Sequence, residues 1–227
     1  MGMQVARAVV GVEGAAVKYA MTRPGESTPA YEAQARSGLI DGIGSMTTRY
    51  VQGTRLAGVE TWTYVPKLLT TVSYQCENFL TGEFSEVKVI GRKAKVIYRP
   101  DASEEQSTKE IDWGETTFAG NALPVFIVKH WDQIKSGASI DFSLYVPFRL
   151  EAIGFKLTPQ FGSAPHTIKV QAEARNWLIR QFAPTITFTF VDGPEPVMTA
   201  YEGPAQLAIN GDKLARVKID FTTAQDR

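Results

Sequence analysis

The chain has 227 residues, 44% of them hydrophobic and 21% charged, with 24 Lys+Arg against 24 Asp+Glu. That composition excludes global disorder, and the zero net charge removes the basic excess with which nucleic-acid binders neutralise phosphates, so no nucleic-acid partner is expected. No apolar run reaches the roughly 18 residues of a membrane-crossing helix, so no transmembrane segment is expected, and the single cysteine excludes an intramolecular disulfide.

Residues 1–30 are rich in Gly and Ala and end in the turn-prone stretch 22–30. They read as a poorly packed lead-in with one strand over 15–21, ahead of a single antiparallel β domain over 31–227. The first twenty residues are too interrupted by Gly and Glu13 for a signal peptide. Compartment is therefore conditional: periplasmic if a signal has been removed, cytoplasmic otherwise.

From Tyr31 the pattern has period two. Met46, Thr48 and Tyr50 alternate with Thr47, Arg49 and Val51, and Glu60, Trp62 and Tyr64 oppose Val59, Thr61, Thr63 and Val65. β-branched and aromatic residues at this spacing predict strands. Cys76 falls in a strand-like run and reads as a small buried hydrophobe. Two alternating runs then flank Gly91-Arg92, a two-residue link suited to a type II′ hairpin. The charged, Ser-rich stretch 101–110 reads as a solvated loop or hairpin tip.

A helix is predicted over 121–136. Asn121 can cap it, Pro124 sits in its first turn, Val125, Val128, Trp131 and Ile134 recur near helical spacing, and Gly137 can end it. Beyond it, Ile140, Phe142, Leu144, Val146, Phe148 and Leu150 share one face of a long run. Pro147 there predicts an edge or bulge, and Gly154 a second bulge. Further strands are expected within 166–174, 184–192 and 196–203, two of them linked through Asp192-Gly193. Asn210-Gly211 between alternating runs is the strongest hairpin signal in the chain. The sum is mainly β: an antiparallel, strongly curved sheet, half-barrel or barrel, of about ten strands wrapping the one helix.

The residues at 144–157 (LYVPFRLEAIGFKL), 175–191 (RNWLIRQFAPTITFTFV) and 201–221 (YEGPAQLAINGDKLARVKIDF) carry a resemblance. Over roughly residues 80–221 the chain resembles a family of uncharacterised bacterial envelope-associated domains. The resemblance implies a curved β half-barrel around a helix, an architecture similar to that of lipoprotein-carrier and lipid-binding proteins, and an envelope protein as one possible class of partner. It brings no assigned activity, because fold alone does not fix function.

Catalytic signatures are missing from the sequence. His130, His166 and Cys76 lie in three distant segments without zinc-ligand spacing, and no nucleophile elbow, phosphate loop or dinucleotide fingerprint occurs. Ser45 is only a weak echo of an elbow. Glu60 with Glu77, and Glu151 beside Arg149, supply carboxylates that matter for hydrolysis only if two face across a cleft. No catalytic residue, metal or cofactor is expected.

The aromatics are more informative. Trp62, Tyr64, Tyr98, Tyr145, Phe155 and Trp177 either pack as core and cross-strand pairs or line an apolar cavity between sheet and helix, with Arg149 or Arg180 at its mouth for an anionic head group. The segment 176–182 gathers Trp, Leu, Ile and Phe around one Arg; core packing is its first reading, a membrane-surface or partner contact its second. The functional expectation is a non-enzymatic binding protein for an apolar or amphipathic, lipid-like small molecule. A structural or interaction module of the envelope is the alternative, and a hydrolase with dispersed acid–base residues the third.

Overall fold

A computed structural model describes residues 16–162 and 164–221 of the chain. Alternation turns the period-two runs into two meandering sheets. The first holds, side by side in chain order, β1 (Ala16–Met21), β2 (Tyr31–Ile40), β3 (Ile43–Gln52), β4 (Arg55–Val65), β5 (Thr70–Asn78), β6 (Phe84–Ile90), β7 (Lys93–Arg99) and β8 (Ser107–Asp112). The second holds β9 (Thr117–Phe118), β10 (Ile140–Val146), β11 (Glu151–Phe161), β12 (Thr167–Ala174), β13 (Ile186–Val191), β14 (Val197–Pro204) and β15 (Arg216–Asp220). Every pairing is antiparallel except β9 with β10, and that exception follows from the helical crossover between them. The edge strands of each sheet do not pair with one another. Instead β1 and β15 meet, and Thr22 and Lys218 exchange two backbone hydrogen bonds of 3.0 and 2.7 Å across the joint.

The mainly antiparallel β expectation is met, but about ten strands becomes fifteen among the described residues. Part of the difference lies in turns the sequence reading passed over. Asp41 and Gly42 have φ of 50° and 79° and form a two-residue loop between paired Ile40 and Ile43, the primed geometry that matches strand twist. Pro147 does not bulge a long strand. It opens a 3-10 turn, Pro147–Arg149, ended by Leu150 at φ 50°, so the run 140–150 folds back as a hairpin and Phe148 leaves the buried face. Gly154 pairs in register with Ser143; the register shifts lie at Tyr50/Val51, Thr63/Tyr64 and Thr189/Phe190 instead. Gly91-Arg92 makes the expected tight hairpin. Asn210-Gly211 makes a tight turn with both φ positive, but only an isolated bridge, Ile209–Asp212, closes it. Its approach, Leu207, Ala208 and Ile209, is buried at every residue rather than alternately, which is incompatible with a two-faced strand.

Within the lead-in, β1 pairs along its length with β2 and buries Val17 and Met21, so the sheet begins before Tyr31; residues 1–15 lie outside the described residues. The helix is broken at His130 into α1 (Ala122–Lys129) and α2 (Trp131–Lys135). Asn121 makes no side-chain cap, because its amide is engaged across the core by Glu60. Ala122 through Ile127 are all buried, as a helix apolar on every side must be. α1 is therefore a plug between the sheets, whereas α2 buries Trp131 and Ile134 and turns Asp132, Gln133 and Lys135 to water. A third, one-turn helix, α3 (Trp177–Arg180), is capped by Asn176, whose side chain accepts from the Leu178 N–H at 2.9 Å. One hydrophobic core joins both sheets and the helical plug.

Candidate functional site

Between the sheets lies a cavity of about 780 Å³. Protein interiors pack at a density of about 0.74 with few voids larger than a water molecule, so a space of this size is a feature of the architecture and not a packing fault. It is made by what the inward positions carry. Ala35, Ala205 and Ala208 line it with single methyl groups, so no side chain from these positions reaches its middle. The second sheet supplies Ile153, Phe155, Ile186, Phe188, Met198 and Tyr201 as one apolar wall. Met46, Thr48 and Tyr74 face it from the first sheet, and Asn121, Leu123 and Pro124 from the start of the plug.

The open side is marked by lining residues that also reach solvent: Phe148 (39% exposed), Leu178 (51%), Phe182 (80%) and Leu214 (40%). Three charged residues join the lining, Glu83, Arg149 and Lys213. Arg149 is ion-paired to Glu151. Lys213 donates to the Tyr98 hydroxyl at 2.6 Å, and that hydroxyl donates to Glu83 at 2.7 Å. Burial, with the Glu83 hydrogen bond second, pushes the Tyr98 phenol far up, so it stays a neutral link between the two charges.

At the buried side, Glu60 is 2% exposed. One carboxylate oxygen accepts from Tyr50 Oη and from Asn121 Nδ2, each at 2.6 Å. The other lies against Gly120, which with Tyr74 lines the cavity. A Cβ at Gly120 would collide with this oxygen, and its φ of 56° suits glycine. Burial pushes the Glu60 carboxyl up to about 7, against the smaller opposing effect of its hydrogen bonds. The same burial raises Tyr50, Tyr74 and Cys76 well above their ordinary values. Cys76 is thus an inert, protonated thiol, and the cluster offers one base of near-neutral strength without an activated nucleophile.

Of the residues singled out by sequence, Tyr145, Arg149 and Phe155 line the cavity. Phe155 stacks on Phe142 at 5.6 Å. The Tyr145 hydroxyl is buried near Ser85, and burial pushes it up to about 12. Tyr98 stands one hydrogen bond behind the lining. Trp62 and Tyr64 do not reach it: they stack on each other at 4.1 Å, and Trp62 Nε1 donates to Thr71 Oγ1 at 3.1 Å. Arg180 donates through Nε to the Ala174 carbonyl at 2.9 Å, holding its own turn in place. Trp177 is 65% exposed beside the opening, which corrects core packing as the reading of 176–182. Glu60 and Glu77 are on opposite faces, one buried with Trp62 and Tyr64 and the other paired with Val59 on the outer face, so they do not face across a cleft.

Sequence reasoning missed the Glu60–Tyr50–Asn121 cluster and the Lys213–Tyr98–Glu83 chain. The first had a signal: alternation places Glu60 on the face of Trp62 and Tyr64, an inward carboxylate that needs partners. The second joins residues 115 positions apart and had none. Among the described residues no group of three or more His, Cys, Asp or Glu is placed to hold a metal ion, and no helix is long and apolar enough to cross a membrane. No protein-family model, curated protein or solved structure matches the chain.

Proposed function

We propose that the chain is a non-enzymatic binding protein for an apolar or amphipathic, lipid-like small molecule held in the cavity between the sheets and the helical plug. The observation that carries this reading is the cavity itself. Its volume of about 780 Å³ falls in the ~300–1,000 Å³ range of ligand pockets, and its wall is mostly apolar with a few placed polar groups, the usual division between affinity and orientation. The aromatic and aliphatic wall takes the tail. Lys213 and Arg149 on the lining are the cations available to a polar head. In this reading the two sheets, joined at Thr22–Lys218, act together as a half-barrel wrap around α1.

The test is titration of the purified chain with a fluorescent fatty-acid probe, alongside native mass spectrometry and solvent extraction of protein from its own host. Saturable binding is expected. Ile153, buried on the cavity wall, gives the matched control: Ile153→Trp fills the space and weakens probe binding by about tenfold or more. A chain that neither carries an extractable amphiphile nor binds the probe saturably overturns the reading.

A further inference from the structure

We propose that the rim of the cavity is a membrane-docking lip, which seats the open side of the protein on an anionic bilayer surface. Phe148, Leu178, Phe182 and Leu214 line the cavity and keep 39–80% of their surfaces in water, and Trp177, 65% exposed, is the chain neighbour of Leu178. Large apolar groups gathered this way, unlike singly scattered ones, mark a contact surface.

The turn that presents them is held firmly. Asn176 caps it, Arg180 ties its far end to the Ala174 carbonyl, and the Ala183 N–H returns to Ile179 O at 2.8 Å. The outward aim of Trp177, Leu178 and Phe182 is therefore built into the backbone rather than left by a frayed loop.

Charge decides the occupant. From Ala174 to Val191 the chain carries Arg175 and Arg180 and no acidic residue. Arg175 has Asp141 at 3.3 Å, Arg149 beside Phe148 is paired with Glu151, and Lys213 beside Leu214 reaches Glu83 through Tyr98. Arg180 donates only to the Ala174 and Arg175 carbonyls and, among the described residues, has no carboxylate partner. Exposed Trp, Leu and Phe flanking an arginine without a carboxylate partner is the chemistry of an interfacial element, whose apolar groups enter the headgroup boundary while the basic group meets anionic lipid. A lip of this kind at the cavity mouth would let an apolar ligand pass between bilayer and cavity without crossing water. The docking itself does not depend on the cavity being filled.

The chain contains four tryptophans. Trp62, Trp113 and Trp131 are 1–6% exposed and Trp177 is 65% exposed, so quenching of tryptophan emission by acrylamide reports on Trp177. The chain is mixed with vesicles of phosphatidylcholine alone or of phosphatidylcholine with phosphatidylglycerol, and binding is followed by flotation and quenching. Flotation with the anionic vesicles, protection of Trp177 and weakening at high salt are expected. The exposed triple substitution Trp177→Ser, Leu178→Ser, Phe182→Ser lowers vesicle affinity by about tenfold or more. Phe148→Ser, on a separate turn, lowers it as well, so the outcome does not rest on one segment. The cavity-filled Ile153→Trp variant floats like the wild type. If it does not, vesicle capture is lipid uptake and the lip is overturned while ligand binding stands. Failure to bind either vesicle, or binding untouched by the triple substitution, also overturns the lip and leaves the patch to a protein partner.

Discussion

In β4 the indole of Trp62 stacks on Tyr64 at 4.1 Å, donates to Thr71 and is 1% exposed. At 177–182 another tryptophan, with Leu178 and Phe182, stands 51–80% in water. The residue types are alike and the surroundings differ. β4 lies in the middle of the eight-strand sheet, where small neighbours make room for large ones: a Cβ at Gly44 would meet the Tyr64 ring at 2.5 Å. The 177–182 turn connects β12 to β13; its Ile179 packs on the core while Trp177, Leu178 and Phe182 stay in water. Aromatic content thus fixes how much apolar surface a chain has to place, and position in the topology fixes whether that surface becomes core, cavity wall or rim.

The sharpest way to break the comparison is Trp62→Ala. Removing a fully buried indole leaves a cavity and strips Thr71 of its donor, at a cost of about 3–5 kcal/mol. Thermal unfolding should then fall by roughly 10 °C or more. A small change would mean that β4 tolerates voids and that its aromatics are not the packed half of the molecule.

How much of this was legible in sequence follows the same line. Met46, Thr48 and Tyr50, and Glu60, Trp62 and Tyr64, fall on the buried face as their alternation demands, because the period of a strand is a local property. Asp41-Gly42 was equally local and equally readable. Pro147 was read as a flaw in a strand because its 3-10 turn depends on β11 returning along β10. A cavity between sheet and helix was expected, but not its walls: it is the gap left where Ala35, Ala205 and Ala208 line one space from distant segments, and missing volume leaves no pattern. Tyr145, Arg149 and Phe155 fall on its lining. Trp62 and Tyr64 were not separable from them, since packed and cavity-lining aromatics alternate identically.

A second prediction separates the polar, buried side of the cavity from its apolar wall through pH. Glu60 titrates at about 7 in the folded chain against 4.5 for a free carboxyl, so the fold favours its protonated form. The associated stabilisation is complete below about pH 4.5 and is lost as pH rises through 7, a change on the order of 3 kcal/mol. Denaturant unfolding of the wild type across that window should show the decline. Glu60→Gln, which keeps the shape of the protonated acid, should flatten it. An unchanged slope in the variant would move the proton linkage to another group and leave Glu60 ionised in the core.

The mildest substitution tests the other half of the opening comparison. Trp177→Ala removes as many atoms as Trp62→Ala, yet its ring contributes little that water does not already provide, so unfolding free energy should stay within about 0.5 kcal/mol of wild type. What should change is the light it emits. With the exposed indole gone, emission from the three buried tryptophans should be bluer and nearly insensitive to acrylamide. A stability loss approaching that of Trp62→Ala would show that the 177–182 turn is packed in solution. The rim would then be closed core, and the cavity would have no open side for a ligand to enter.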